Sequence, residues 1–302
     1  MSNPSDKERC RLCKSFSPLQ NSHIIPAFVF KWLKYGGAGH IRHTGNMNKR
    51  VQDGATEKLL CANCEALFNI WETKFSNQIF NPFCYDGKLP SITYDDWLLK
   101  FCVSVSWRSL SYMRSKTEFS HYNETQKQLA DHASEIWADF LLGKRKHPAQ
   151  FEQHLIPFGP IRNIGEIIFP PNINRYLLRM IEIDTGASSS AAFIFSKLGP
   201  LGLLGFVDLQ KPEQWSGSKI RLRGGRIHPR VYTLPHQFGD YLGSRAKRVW
   251  EAQANTSPAQ KERIKATFLN NIDAFATSQL REAIEFDLAL FGDAALNRDA
   301  TT

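Results

Sequence analysis

The sequence predicts an α+β protein: an N-terminal cysteine-bound finger, a helical middle, a β-meander region and C-terminal helices. Three observations carry this prediction. Two C-x-x-C knuckles, Cys10/Cys13 and Cys61/Cys64, stand near the N-terminus. Apolar residues then recur at helical spacing through residues 95–142. Strand-like apolar runs broken by Gly, Ser and Pro follow at 175–234, before helical patterning returns. A chain of 302 residues exceeds the usual single-domain size. The composition shifts place divisions near residues 90 and 160. They give a finger at 1–90, a helical region at 91–160 and an α+β region at 161–302 whose role the sequence leaves open.

In chain order, Phe28, Val29, Phe30, Trp32 and Leu33 after Pro26 predict a short helix. Residues 36–50 are rich in Gly and basic side chains and read as a flexible loop, and Asp53-Gly54 reads as a hairpin turn. The second knuckle opens a helix in which Leu67, Trp71, Phe75 and Ile79 form an apolar stripe. Glu65, Asn69, Glu72 and Ser76 fall on another face of it. A helix is expected from Asp95 to Arg114, with Leu98, Phe101, Cys102, Val105 and Tyr112 facing the core. Another is expected from Glu124 to Leu142, stopped by Gly143 and a basic run. Tyr176 to Ile183, Ala191 to Ser196 and Leu201 to Leu209 read as strands. Lys219 to Arg223 alternates charged and apolar residues, as a strand with one cationic face would. From His236 to about Phe291 the chain reads as helical.

The knuckles carry the clearest chemistry. A C-x-x-C turn points two sulfurs into one coordination sphere, and two such turns complete a tetrahedral Zn(II) shell at about 2.3 Å. Such an ion stabilises a module whose core is too thin to fold alone. The second knuckle opens directly into a helix, which predicts a treble-clef-like arrangement. Cys84 and Cys102 stand apart in apolar company, and the pattern is that of a reduced, cytoplasmic protein rather than a disulfide scaffold. The polar N-terminus has no signal-peptide core. The most apolar stretch, residues 191–207, is interrupted by Lys197, Gly199, Pro200, Gly202 and Gly205, so no membrane span is expected.

The formal net charge is +9, with nine Lys/Arg against two acids in residues 1–50. Such concentration favours a polyanionic partner, and a solvated basic surface is the plain alternative. Candidate phosphate contacts are Arg11, Lys14, Lys31, Lys34, Arg42, Lys49 and Arg50. Lys219, Arg221 and Arg223 either extend that track or form a solvated edge. Asn46, Asn48 and Gln52 are polar enough to bond a backbone or a base. The sequence has no phosphate-binding Gly-rich loop with its lysine, no dinucleotide fingerprint and no nucleophile elbow.

Between the knuckles lies Ser22-His23-Ile24-Ile25-Pro26, and the second knuckle reads Leu59-Leu60-Cys61-Ala62-Asn63-Cys64-Glu65. In this combination the chain resembles the four-cysteine HNH, or His-Me finger, nucleases over about residues 8–80. The resemblance implies a ββα-metal finger with structural Zn(II). It implies His23 as the general base that activates water against a phosphodiester. It also implies one catalytic Mg(II) or Mn(II), held from the positions of Ser22, Glu65 and Asn69. Ser22 departs from the family, which usually has Asp, Glu or His there, and Glu65 stands where His or Asn is common. A serine hydroxyl is a poor ligand for a hard cation and a carboxylate a good one, so Glu65 is the expected ligand. Asp53, Glu72 and His40 are reserves.

The expected function is therefore metal-dependent DNA cleavage, with RNA less favoured. Residues 91–302 would position substrate, form an oligomer or hold a partner protein. By association such chains serve mobile elements or antiphage defence. Two readings of other classes stand beside it: a zinc-finger module that binds nucleic acid without cutting, and an interaction protein whose zinc is purely structural.

Overall fold

The computed structural model describes residues 8–35, 41–89, 91–116, 119–165, 168–276 and 278–296. The fold is mixed α+β with the four knuckle cysteines drawn together near the N-terminus. Strands β1 (Glu8–Arg9) and β2 (Phe16–Ser17) pair on either side of the first knuckle. Then come β3 (Leu19–His23), α1 (Ala27–Lys34), β4 (Ile41–His43), β5 (Asn46–Val51), β6 (Thr56–Cys61) and α2 (Ala62–Phe75). Antiparallel pairing joins β3 to β6 and β4 to β5. A π-helical turn leads into α3 (Asn81–Asp86) and β7 (Ile92–Tyr94).

The spine is α4 (Asp96–Ser115). Asp95 starts it by accepting the Trp97 amide at 3.1 Å, satisfying one of the donors a helix start leaves open. It is buried nearly all round, because α2, α5 (Glu124–Leu141) and the main sheet all pack on it. Its buried hydroxyls are bonded: Ser106 donates to Gln153 at 2.7 Å and Ser109 meets Ser196 at 2.9 Å. Asn123 and Gln126 form a reciprocal cap at the start of α5, and Gly143, with φ of 73°, ends it.

The main sheet contains β8 (Gln153–Pro157), β9 (Ile181–Ala187), β10 (Ala191–Leu198) and β11 (Leu201–Leu209), in the order β8-β11-β10-β9. The last three form an antiparallel meander. Side chains alternate across a strand. Ala192 and Ile194 of β10 therefore enter the apolar cluster shared with α4 and the finger, while Phe193 and Phe195 enter a second. That second cluster lies under α6 (Ile173–Arg179) and α7 (His236–Ala254). The short β12 (Gly225–Ile227) pairs with β7, and α8 (Pro258–Leu269), α9 (Ile272–Ala276) and α10 (Gln279–Phe291) follow. The finger joins the first cluster through Phe75, whose ring stacks on Phe101 at 3.9 Å.

Several expectations are corrected. Residues 173–179 are helical, although Tyr176 to Ile183 reads as one strand. The Asp287 carboxylate accepts the Asn174 and Arg175 amides at 2.7 and 3.2 Å, and Lys197 Nζ donates to the Leu177 and Met180 carbonyls. Both ends of α6 are thus capped by residues distant in sequence. Asp53-Gly54 is a bend between β5 and β6, not a hairpin turn, because those strands pair with different partners. A side chain at Gly54 would collide with the Phe30 ring. Residues 41–50 of the expected flexible loop largely belong to the β4–β5 hairpin; residues 36–40, with the reserve candidate His40, lie outside the described residues. In α2 the buried stripe is Cys64, Phe68, Trp71 and Phe75, continued by Ile79, with Leu67 at its margin. A period of 3.6 residues, not four, sets that face. Of 219–223, only Lys219 forms a bridge, to His154, and the chain then turns.

Candidate metal centre and histidine site

The Sγ atoms of Cys10, Cys13, Cys61 and Cys64 all lie within 4.8 Å of one another. Cys13 and Cys61 sulfurs are 3.7 Å apart. That is far beyond a disulfide bond and close to the roughly 3.8 Å edge of a tetrahedron with metal–sulfur bonds of about 2.3 Å. Backbone turns aim the sulfurs. The Cys10 carbonyl accepts the Lys14 amide at 2.9 Å, and Lys14 takes a φ of 65° to close the turn. Across the knuckles, the Arg11 amide donates to the Leu59 carbonyl at 3.0 Å and the Cys61 amide to Cys10 Sγ at 3.3 Å. Burial pushes the Cys10 and Cys64 thiols up. Burial also opposes ionisation of Cys13, yet hydrogen bonds led by the Ser15 hydroxyl bring it down to about 6. Four convergent thiols suit a soft or borderline cation such as zinc. Cys84 and Cys102 are buried outside the cluster.

His23 ends β3, opposite Thr56 of β6, and Ser22 lies opposite Glu57. The Ile24 amide extends the pairing by donating to Ala55 at 3.0 Å. The bend at residues 52–54 brings Asp53 back to His23, with Oδ2 3.3 Å from Nε2 though short of hydrogen-bond alignment. The imidazole keeps 29% of its surface exposed, although its Nε2 is itself buried. Behind the ring, the His23 carbonyl accepts Arg108 Nη1 at 3.0 Å. The same guanidinium lies 2.7 Å from Glu72 Oε1 and covers the Phe68 ring, with only 2% of its side chain exposed.

Arg108 is the member of this site that sequence reasoning missed. Its signal was a lone cation inside the apolar run of α4, since Arg is almost never fully buried without a partner. Glu72 and Asp53, named as reserves, are the acids that reach the histidine's surroundings. Glu65 shares the helix face of Glu72 two turns earlier, about 10 Å along the axis. It is half-buried, and its Oε1 is buried without a hydrogen-bond partner; Ser22 Oγ is in the same state. Asn69 is exposed on the turn between Glu65 and Glu72. Among the described residues, the knuckle cysteines are the only group of three or more His, Cys, Asp or Glu ligands that converges.

The basic candidates occupy four separate regions. Arg11 pairs with Glu57 at 3.4 Å, and Lys14 Nζ donates to the Arg11 carbonyl at 2.8 Å. Arg42 and Arg50 face each other across the β4–β5 hairpin beside exposed Lys49, and burial, with the Arg50 charge, lowers the Arg42 guanidinium. Arg221 and Arg223 are exposed near β7 and β12, while Lys219 pairs with Glu152. Lys31 is exposed, and Lys34 donates to the Gln52 carbonyl at 3.0 Å. Asn48 is engaged with Asn255 and Ser257 at the α7–α8 junction, so it is a docking residue rather than a free contact. Among the described residues, no helix is long and apolar enough to cross a membrane.

Fold and site together define a mixed α+β protein with a four-cysteine cluster fit for a metal ion and a half-exposed histidine on a neighbouring strand end. No protein-family model, no curated protein and no solved structure matches the chain.

Proposed function

We propose that the chain is a metal-dependent endonuclease of the HNH, or His-Me finger, type, with Zn(II) at the cysteine cluster and a treble-clef-like ββα finger as its nuclease module. The observation that carries the reading is the order of parts: β3 ends at His23 and pairs with β6, which runs through the second knuckle into α2. DNA is the substrate the basic surfaces suit, with RNA second, and phosphate contacts from Arg11, Lys14, Arg42, Lys49, Arg50, Arg221 and Arg223 would supply salt-dependent affinity. Cytoplasmic action in antiphage defence or a mobile element fits such an activity.

His23 accepts the proton of the attacking water as general base. Asp53 Oδ2, 3.3 Å from Nε2, places a negative charge beside the imidazole. Arg108 fixes the strand end through the His23 carbonyl and itself rests on Glu72. The partnerless buried oxygens of Ser22 and Glu65 fit a site that takes up a cation or its water shell. Glu65, with Asn69 one turn on, would hold Mg(II) or Mn(II), with Glu72 in reserve. When bound, such an ion neutralises charge developing on the phosphate and the leaving oxygen.

Plasmid cleavage with Mg(II), Mn(II) or EDTA tests this, with Glu65→Ala and Glu72→Ala beside wild type. Metal-dependent nicking that Glu65→Ala removes supports the assignment; loss only in Glu72→Ala, at an unchanged melting temperature, moves the ligand two turns along α2. DNA binding without nicking under any metal would sink the nuclease reading. That outcome would favour the non-catalytic finger, the reading the unconverged carboxylates around His23 support.

A further inference from the structure

A cleft of about 630 Å³ opens between the first knuckle and the facing ends of α4 and α5. Its volume is in the range of sites that bury a small molecule. Its walls differ in charge. Arg11 and Lys14 reach it from the knuckle, Arg114 from the last turn of α4 and Lys144 from the segment after α5. Glu135 and Asp139, four residues apart on α5, form the acidic side, with the Ser134 hydroxyl next to them. Trp107, Leu12 and Ala138 give it an apolar floor.

The cations of the cleft are held by internal pairings. Arg11 meets Glu57 at 3.4 Å with 44% of its side chain exposed, Lys144 reaches Asp139 only at 3.9 Å while 63% exposed, Arg114 pairs with Asp131 while 41% exposed, and Lys14 Nζ donates to the Arg11 carbonyl. Exposed ion pairs such as those of Arg114 and Lys144 contribute little and exchange readily for a better anion. Arginine presents a planar fork that matches phosphate oxygens, and lysine adds a point charge. Carboxylates on the opposite wall repel a bare polyanion but accept hydrogen bonds from hydroxyl and amino groups.

The geometry points to a binding site for a small phosphorylated molecule of nucleotide size. Its phosphate lies against Arg11, Lys14, Arg114 and Lys144, and its hydroxyl or amino groups face Glu135 and Asp139. Arg11 sits between the metal-ligating Cys10 and Cys13. Its acid partner Glu57 stands opposite Ser22, one register position from His23. A ligand that draws Arg11 away from Glu57 therefore acts on both the knuckle and the strand pair that carries the histidine. The site stands independently of the nuclease proposal.

Titration calorimetry of the zinc-loaded full chain with ADP tests it, with adenosine and a short DNA duplex as parallel ligands. Lys144→Glu removes a cation of the cleft, and Ser134→Leu fills it without changing charge; circular dichroism checks that both fold. The expected result is saturable one-to-one ADP binding, weakened at least tenfold in both variants, with adenosine binding more weakly. No ADP binding at millimolar concentration, or binding that both folded variants retain, overturns the site. Lys144-dependent binding of duplex without binding of ADP also overturns it, by assigning these cations to a nucleic-acid backbone. Plasmid nicking is scored separately, so failure here leaves the cleavage reading standing and the reverse.

Discussion

The cysteine cluster and the histidine site share the same two strands, yet they are built on different scales. Within each knuckle the cluster is closed locally: a turn aims the Cys10 and Cys13 sulfurs, the start of α2 aims those of Cys61 and Cys64, and four ligands converge. The histidine site is assembled from a distance. Its backbone is held by Arg108, 85 residues along the chain, and its acids arrive from a bend and from the second turn-pair of α2. The contrast separates two kinds of centre. A closed shell with no open position holds structure, while a half-exposed ring with incompletely satisfied neighbours is free to take on a reactant.

The largest expected effect comes from breaking the closed shell. Chelation, or Cys61→Ser, should remove one bound zinc per chain and unfold the finger, since structural zinc contributes about 10 kcal/mol or more to such modules. Elemental analysis alongside thermal melting would detect this; a finger that keeps its melting temperature without metal would contradict it. Acidification from about pH 7 to about pH 5 should act in the same direction, because protons compete with zinc for the thiolates.

Next in size is Arg108→Met. It strands Glu72 and the His23 carbonyl in a buried setting, and breaking one side of a buried pair costs about 3–5 kcal/mol. Denaturant unfolding reads this directly. A combined Arg108→Met/Glu72→Leu variant should recover much of the loss, which a purely steric role for Arg108 would not allow.

How much of this was open to sequence reading depended on range. The limits of α4 were readable because Asp95 caps its start and the apolar period is unbroken. The knuckles were readable because two residues of spacing fix their geometry. By contrast, the end of α6 reads as strand, because its caps, Asp287 and Lys197, lie 113 and 20 residues away. The return of Asp53 to His23 depends on a bend that reads locally as a hairpin turn. The role of Arg108 is hidden for the same reason: local sequence shows a buried cation but not the carbonyl it serves.

A smaller effect is expected of Asp53→Asn. At 46% exposure its loss should change stability by no more than about 0.5 kcal/mol. Cleavage should slow, because the amide no longer places a negative charge beside the imidazole. An unchanged rate would remove Asp53 from the site. The smallest effect is that of Arg223→Glu, exposed and remote in the chain from the finger. Its stability should be unchanged within about 0.5 kcal/mol. Its DNA affinity should fall, with a shallower salt dependence, only if this element touches phosphate.

Whether the cysteines hold structure while His23 carries out chemistry is decided by the rate of Mg(II)- or Mn(II)-dependent plasmid nicking by His23→Ala and wild type at equal zinc content. Equal melting temperatures, one zinc in each and a rate loss of about 100-fold or more for the variant are expected. Equal rates, or no nicking by the zinc-loaded wild type with either metal, would contradict this division of roles.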